Sequence, residues 1–427
     1  MIAVSLILLL ALLVISIPVG AALGVLGLIL DPLYSMLPLT RALGEITWGT
    51  SNEFLLVAIP LFIMLGEILL RSGIAERMYN AMSMWLGWLP GGLMHANIGA
   101  SALFAATSGS SVATAATVGT VAIPQIKRRG YNESLFLGSL AAGGTLGILI
   151  PPSINLIIYG VLTNTSVPKL YLAGLVPGIL MALFFMTIIV VACVVKRSWG
   201  GEPARHSWRE RITSLVDLLP PLGIFLLVVG SIYVGIATPT EAAAMGVVGA
   251  LVLAAWMRRL SLGMLREVFE GTMKASAMIM LIIIGAAFLN FVMSGTGLTS
   301  AITSFMTGLH VSMPMMVLIM MAFYLVLGCF METLSMMITT IPIVAPIMIG
   351  MGFDPVWLGI AIIILIEAAL ITPPVGLNLF VIQSLRTSGS MNTVMAGSFP
   401  FVVVLVAMVG VIYLAPDLAL WLPRVFG

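Results

Sequence analysis

Ile123-Pro124, followed six residues later by Gly130 and then by Pro151-Pro152, recurs downstream as Ala345-Pro346, Gly352 and Pro373-Pro374. The offset is 222 residues throughout. It also carries Ser72-Gly73 onto Ser294-Gly295, Gly130-Tyr131-Asn132 onto Gly352-Phe353-Asp354, and Gly24 and Gly27 onto Gly246 and Gly249. After the second proline pair the register slips by one, so Asn155 is matched by Asn378. Two copies filling a 427-residue chain of membrane composition are the sequence sign of a transporter assembled from internal repeats.

The composition fixes the class. Hydrophobic residues make up 61% of the chain and charged residues 8%, and the mean hydropathy is +1.19. A soluble globule carries about 25% charged residues, so a soluble fold is excluded. Residues 1–30, 215–236 and 278–293 are long enough, or nearly so, to cross about 30 Å of hydrocarbon as helices. The first stretch has no basic residue before its apolar run and no small-residue cleavage site, and is expected to be a retained span. Cys193 and Cys329 lie in apolar stretches and suggest neither a disulfide nor a metal site.

The basic residues are clustered. Arg71 and Arg77, Lys127-Arg128-Arg129, residues 196–211, residues 258–274 and Arg386 hold fifteen of the eighteen Lys and Arg, all but Arg41, Lys169 and Arg424. Placing these five clusters on the cytoplasmic side satisfies the positive-inside rule. At the 222 offset, Lys127-Arg128-Arg129 falls on uncharged Ile349-Gly350-Met351, and Arg258-Arg259 falls on Met36-Leu37. Equivalent loops thus differ in charge character, which predicts that the two copies sit upside down relative to each other.

The charge map yields one path. Residues 2–30 run outward, 31–53 lie along the outer interface, and 54–70 return. Residues 74–90, with Trp85 and Trp88, read as interfacial. Residues 92–126 are apolar but broken at Thr107-Ser108-Gly109-Ser110-Ser111, leaving arms of about 22 Å, too short to cross comfortably. A re-entrant hairpin is expected there. Residues 134–162 form a span interrupted at Pro151-Pro152-Ser153, where amide donors are lost and the rings clash. Residues 170–195 then lead to a basic loop. After a link at 215–236, the order repeats: 240–257 answers the first span, 260–274 is interfacial, and 278–293 crosses. Residues 313–348 form a second hairpin with its tip near 328–333. Residues 357–385 are broken at Thr372-Pro373-Pro374, and 394–422 end the chain. The expected fold is an all-α polytopic membrane protein with two inverted repeats, two re-entrant hairpins and two broken helices. The first repeat covers 1–213 (hairpin about 92–127, broken helix about 134–163). The second covers 214–427 (hairpin about 313–349, broken helix about 355–385). An odd number of crossings puts the N-terminus inside and the C-terminus outside.

Four polar breaks therefore lie at membrane depth. Non-helical backbone is tolerated there only when buried in protein or lining a watery cavity. Half-helix ends present carbonyl oxygens suited to Na⁺ and positive N-termini suited to an anion. The first copy offers Ser108, Gly109, Ser110, Ser111 and Thr114 facing Pro152, Ser153 and Asn155. The second offers Gly328, Cys329, Glu332, Thr333 and Ser335 facing Thr372, Pro373, Gly376 and Asn378. Assigned to Na⁺ are Ser108, Gly109, Ser110, Ser111, Pro152, Asn155, Gly328, Cys329, Glu332, Thr372, Pro373 and Gly376. Assigned to substrate are Ser110, Ser111, Thr114, Ser153, Thr333, Ser335 and Asn378. Hydroxyl and carbonyl donors without paired carboxylates suit a singly charged cation better than Ca²⁺.

A bland alternative exists for each break: Pro-Pro kinks a helix, and Ser, Thr and Gly allow close packing. Matched breaks in both copies favour a binding site. Gly143, Gly144 and Gly147 read as packing positions beneath the first tip. Glu67, Glu241 and Glu367 fall inside apolar segments, where an ionisable residue is a functional candidate, but their offset mates are apolar or hydroxyl. Glu67 is expected to pair with Arg71 or snorkel. Glu332 stands apart because it answers Ser110 at the other tip. His95 and His310 read as interfacial at hairpin entrances. No nucleotide-binding or hydrolase motif is present.

Through Ser108-Gly-Ser-Ser-Val-Ala-Thr-Ala-Ala-Thr-Val-Gly119, Ile150-Pro-Pro-Ser153 and Ile371-Thr-Pro-Pro-Val-Gly-Leu-Asn378, the chain resembles the large membrane subunit of TRAP (tripartite ATP-independent periplasmic) transporters over essentially its whole length. The resemblance implies an elevator-type, Na⁺-driven uptake carrier of the wider ion-transporter superfamily in a bacterial inner membrane. It implies two partners, a small four-helix membrane subunit and a soluble periplasmic binding protein. The start at Met1 suggests that the small subunit is a separate chain. Implied substrates are organic acids: C4-dicarboxylates, other carboxylates or sialic acid. The rival readings are a stand-alone Na⁺/carboxylate symporter, a channel, and a membrane-embedded enzyme. An enzyme would need a nucleophile–base pair or metal ligands that three scattered histidines and two cysteines do not supply. No role in binding nucleic acid is indicated, and nothing identifies the acid carried.

Overall fold

The computed structural model describes residues 2–15, 17–202, 206–298, 301, 304, 311–329, 331–374 and 376–426. His310, Phe330 at the second tip and Val375 at the second break lie outside the described residues. Among those described, regular structure is helical apart from a single bridge between Tyr131 and Gly200.

The helices of the first half are α1 (Ile2–Val14), α2 (Val19–Tyr34), α3 (Leu43–Ser51), α4 (Ala58–Ser72) and α5 (Ile74–Leu86). A hairpin of α6 (Leu93–Ser108) and α7 (Ser111–Arg129) follows, then α8 (Glu133–Leu149), α9 (Ile154–Thr163) and α10 (Val167–Val195). A connecting helix, α11 (Trp208–Tyr233), leads into the second half. There α12 (Pro239–Trp256) and α13 (Leu262–Gly295) precede a hairpin of α14 (Met313–Leu327) and α15 (Thr333–Gly350). The chain ends with α16 (Pro355–Leu370), α17 (Leu377–Ser384), α18 (Met391–Leu414) and α19 (Asp417–Phe426). Seven helices are long and apolar enough to cross a membrane, or eight with α8 and α9 taken as one span bent by 42°.

Helix starts recur at the sequence offset. Ser111 begins α7 and Thr333 begins α15, while α8 starts after Asn132 and α16 after Asp354. Both of the latter residues cap their helices: Asn132 accepts from the Leu135 amide, and Asp354 from those of Val356 and Trp357. A short side chain with an oxygen at this position satisfies first-turn amides that would otherwise be unpaired.

Packing exchanges partners between the halves. Helix α2 packs on α13 while α12, its counterpart, packs on α4. In the same way α7 meets α17 and α15 meets α9; α8 meets α18 and α16 meets α10. Lipid offers no hydrophobic drive for pairing apolar helices, so close approach at small residues does the work. A Cβ on Gly138 of α8 would run into the backbone of Gly397 on α18, and one on Gly285 of α13 into the carbonyl of Gly20 on α2. Each half is therefore built against the other.

Several boundaries differ from expectation. The stretch 2–30 is two helices, α1 and α2, because the Pro18 ring removes a donor and pushes Ile17 out of helical geometry. Residues 260–274 and 278–293 are one 34-residue helix, α13, starting at the Ser261 cap. At about 51 Å it outspans the hydrocarbon, so its first turns can lie at the interface while it stays continuous. Residues 394–422 divide into α18 and α19 at Ala415-Pro416. His95 is buried rather than interfacial, its Nε2 2.8 Å from the Pro90 carbonyl.

Candidate functional site

Each hairpin tip lies on the break of its own half. At the first, α6 ends in Gly109, whose φ of +62° is left-handed and suits glycine. A Cβ there would stand 2.8 Å from the Pro152 carbonyl. The chain then extends through Ser110, whose Oγ accepts from the Ala113 amide and starts α7. Beneath it, Gly147 of α8 leaves room for the backbone of Ser110 and Ser111; an added Cβ would stand 2.9 Å from it. The Ser111 hydroxyl donates to the Thr145 carbonyl at 3.3 Å, and that of Thr114 to the Ser110 carbonyl at 2.6 Å. Ser108 Oγ lies 3.2 Å from Thr114 Oγ1. On the far side, Gly66 of α4 lets the Ser108 carbonyl pass 2.8 Å from the site a Cβ would take.

The second tip repeats the plan with other side chains. Gly328 packs against Ala369, and the Cys329 thiol is 3.5 Å from the Pro373 carbonyl. Glu332 caps α15, accepting from the amides of Leu334 at 3.1 Å and Ser335 at 3.2 Å. The hydroxyls of Thr333 and Ser335 donate to the same carboxylate. Glu332 is thus engaged by its own helix start. A cavity of about 200 Å³ lies beside it, lined by Gly328, Met331, Thr333, Ala369 and Leu377.

The broken helices restart differently. Ser153 caps α9 through the Leu156 amide, and its carbonyl accepts from Tyr171 at 3.4 Å. In α17 the capping position is Gly376, with no side chain to offer. The Thr372 hydroxyl turns back to the Ala368 carbonyl at 2.6 Å. Asn378 crosses between the halves: its Nδ2 donates to the Ala141 carbonyl of α8 at 3.3 Å, leaving Oδ1 buried without a partner. Asn155 is also buried, and its unpartnered atom is Nδ2, a donor. One orphan is an acceptor and the other a donor, so the pair differs in what it can hold.

The structure thus gathers Ser108, Gly109, Ser110, Ser111 and Thr114 against Pro152, and Gly328 and Cys329 against Pro373. Sequence reading missed Gly66, whose signal was a lone glycine in an apolar helix, and the Ala141 carbonyl, which carries no signal. It ranked Glu367 low, yet this residue is fully buried with both carboxyl oxygens unpartnered. Glu67 pairs with Arg71, which also binds Glu267 at 3.1 Å. Glu241 belongs to a capping box with Thr238 at the start of α12.

Residues 6–418 match the family model described as "Tripartite ATP-independent periplasmic transporter, DctM component". The chain belongs to this family. The DctM-family chain is 36% identical over 390 residues to the C4-dicarboxylate TRAP transporter large permease protein of Pseudomonas aeruginosa, covering 91% of this chain and 90% of that one. It is 31% identical to the sialic acid TRAP transporter large permease protein of Vibrio cholerae, covering 88% of each. It is likewise 31% identical to the ectoine/5-hydroxyectoine large permease protein of Ruegeria pomeroyi, over 86% of this chain and 85% of that one. Among solved structures, the YdaH transporter of Alcanivorax borkumensis is similar in fold, with a TM-score of 0.59, 17% identity and coverage of 94% and 96%. This DctM-family protein is a multi-span TRAP large permease, and its relatives are transport proteins rather than enzymes.

Proposed function

We propose that this DctM-family permease takes up organic acids across a bacterial inner membrane in symport with Na⁺, by moving a unit that holds both hairpins and both broken helices. The observation carrying this reading is the seating of each tip on the break of its own half, Gly109 over the Pro152 carbonyl and Cys329 by the Pro373 carbonyl. Such junctions bring free carbonyls and helix N-termini together at membrane depth, the arrangement that binds a cation beside an anion. Na⁺ is cargo here. The oxygens available to it are backbone carbonyls, hydroxyls and the unpartnered Asn378 Oδ1. No group of three or more His, Cys, Asp or Glu stands together among the described residues, so the donor set suits a hard monovalent ion. The caps of α7 and α9, at Ser110 and Ser153, direct first-turn amides toward the same junction, where a carboxylate is favoured.

Matched helix starts and exchanged packing support two inverted repeats, with the N-terminus inside and the C-terminus outside. The partners in this reading are a separate small four-helix membrane subunit and a periplasmic binding protein that delivers the acid. A relative from Oleidesulfovibrio alaskensis, an isethionate TRAP transporter permease protein named DctMQ, is 33% identical, and the match covers 58% of its length. Its extra length is consistent with a second membrane component fused to the large one.

The test is uptake of a C4-dicarboxylate into vesicles containing the permease, the small subunit and the binding protein. Uptake should require a Na⁺ gradient and stop when choline replaces Na⁺. Disulfides joining α6 to α4 should abolish uptake when oxidised and release it on reduction, because they fix the moving unit to its frame. Full uptake in choline rejects the coupling, full uptake with the disulfide formed rejects the elevator, and uptake without the binding protein favours the stand-alone symporter.

A further inference from the structure

Glu367 has no accessible surface, and neither carboxyl oxygen finds a hydrogen-bond partner. It lies in α16, five residues before the break at Thr372, facing the backbone of Leu149 at the end of α8 in a geometry short of a hydrogen bond. The residue therefore sits where the two broken helices approach each other, at the last turn of each before its proline pair. Its counterpart at the 222 offset is Thr145, whose hydroxyl is satisfied by the Ala142 carbonyl. Packing alone does not call for a carboxyl here, since the same place in the other half is filled by a small self-satisfied side chain.

The elements packed on α16 bring no counter-charge. Glu133 of α8 is paired with Arg386, and Asp417 and Arg424 of α19 are paired with each other. Lys169 of α10 is exposed. Glu332 and Asp354 are bound by the amides they cap. The hydroxyls of Tyr159, Tyr171 and Tyr324 go to Pro355, Ser153 and Thr340. Tyr413 of α18 packs on Trp357 at the opposite end of α16, and Cys193 lies beside Gly91. An ionised carboxylate without a partner in a dry interior is the costliest form of this group, and a proton removes the charge. An ionisable residue inside a membrane protein is a functional candidate for the same reason.

We propose that Glu367 is a proton site of the transport cycle. The carboxylate takes a proton from water on the outer side, is sealed as the neutral acid in the arrangement described here, and returns the proton to water on the inner side when the two broken helices separate. One O–H bond forms and the same bond breaks, so one proton moves with each cycle in addition to the other cargo. This rests on the transport reading above.

Two measurements test it independently. Infrared spectra of the full protein in lipid, set against Glu367→Gln, should show the carbonyl stretch of a protonated carboxylic acid that the variant lacks. No such difference overturns the proposal whatever the uptake result. Gln is close in shape to the neutral acid, so the variant is expected to fold; should it fail, the wild-type band and its shift in D₂O decide alone. In vesicles holding a pH-sensitive dye, supplied with succinate, the binding protein and a Na⁺ gradient, wild-type uptake should acidify the lumen and slow as external pH rises. Glu367→Gln should take up succinate without acidification and with a flat pH profile. Equal acidification by both proteins overturns the proton coupling. Wild-type protein that transports none of the dicarboxylates tried would count against the transport reading, and the infrared band would then decide the proton site on its own.

Discussion

Ser110 and Glu332 stand 222 residues apart and perform the same act: each lends a side-chain oxygen to the backbone amide three residues on, Ser110 to Ala113 at 3.4 Å and Glu332 to Ser335 at 3.2 Å. Both are the last extended residue of a hairpin tip and both launch the returning arm. This gives Glu332 a structural occupation. A carboxylate that accepts two amides and two hydroxyls has little lone-pair capacity left for an ion.

The shared cap makes Glu332→Ser a mild change, since it installs the residue that caps the other tip. Glu332→Ala should lower stability by about 0.5–2 kcal/mol through loss of the cap. Thermal unfolding in detergent checks this: the Ser variant is expected to melt close to wild type and the Ala variant below it. A Ser variant as unstable as the Ala variant would mean that the charge, not the cap, is what matters.

Asn378 presents the unpartnered acceptor at the junction and should contribute to Na⁺ binding. Asn378→Ala is expected to cost about 1–3 kcal/mol, roughly 5- to 150-fold in apparent Na⁺ affinity. Ser110→Ala should also weaken Na⁺ dependence, because it frees the tip backbone. Thr372→Ala is expected to do less, as that hydroxyl is already spent on the Ala368 carbonyl. Uptake against Na⁺ concentration ranks the three, and equal effects would remove the special place given to Asn378.

Gly109→Ala tests the first tip directly. Its φ of +62° costs an L residue about 1–2 kcal/mol, and the added Cβ would press on the Pro152 carbonyl at 2.8 Å. Uptake should fall sharply while the protein still inserts and assembles. Gly130→Ala is the control, with the same left-handed backbone but open space around the Cβ. Comparable loss in both variants would show that strain, not the seating of the tip, is responsible.

Inverted repeats require opposite sidedness at equivalent loops. Single cysteines at Arg128 and Gly350, placed in a background free of Cys193 and Cys329, should react with an impermeant thiol reagent from opposite sides of the membrane. Labelling from one side at both positions would rule the inversion out.

Much of the site was legible because its signals are local. A Pro-Pro pair ends a helix wherever it occurs, and Ser-Gly-Ser-Ser in an apolar run has to break it. The offset of 222 residues made each signal count twice. The cap at Glu332 was equally local, three residues before Ser335, yet its placement at a tip drew attention to its charge instead. The splitting of the first span at Pro18 was written in one residue and was overlooked among so many apolar neighbours.

By itself the sequence determined the membrane class, the two copies, the four breaks and the residues that fill them, because hydropathy, proline and glycine act on the chain nearby. Tertiary structure alone decided which surfaces meet. That Gly109 lies on Pro152, that Asn378 reaches the Ala141 carbonyl of the other half, and that Glu367 is shut between the broken helices without a partner depend on contacts between distant segments. No local preference encodes such meetings. They arise when each half buries its small-residue faces against the other, and only then does a polar atom become paired or remain alone.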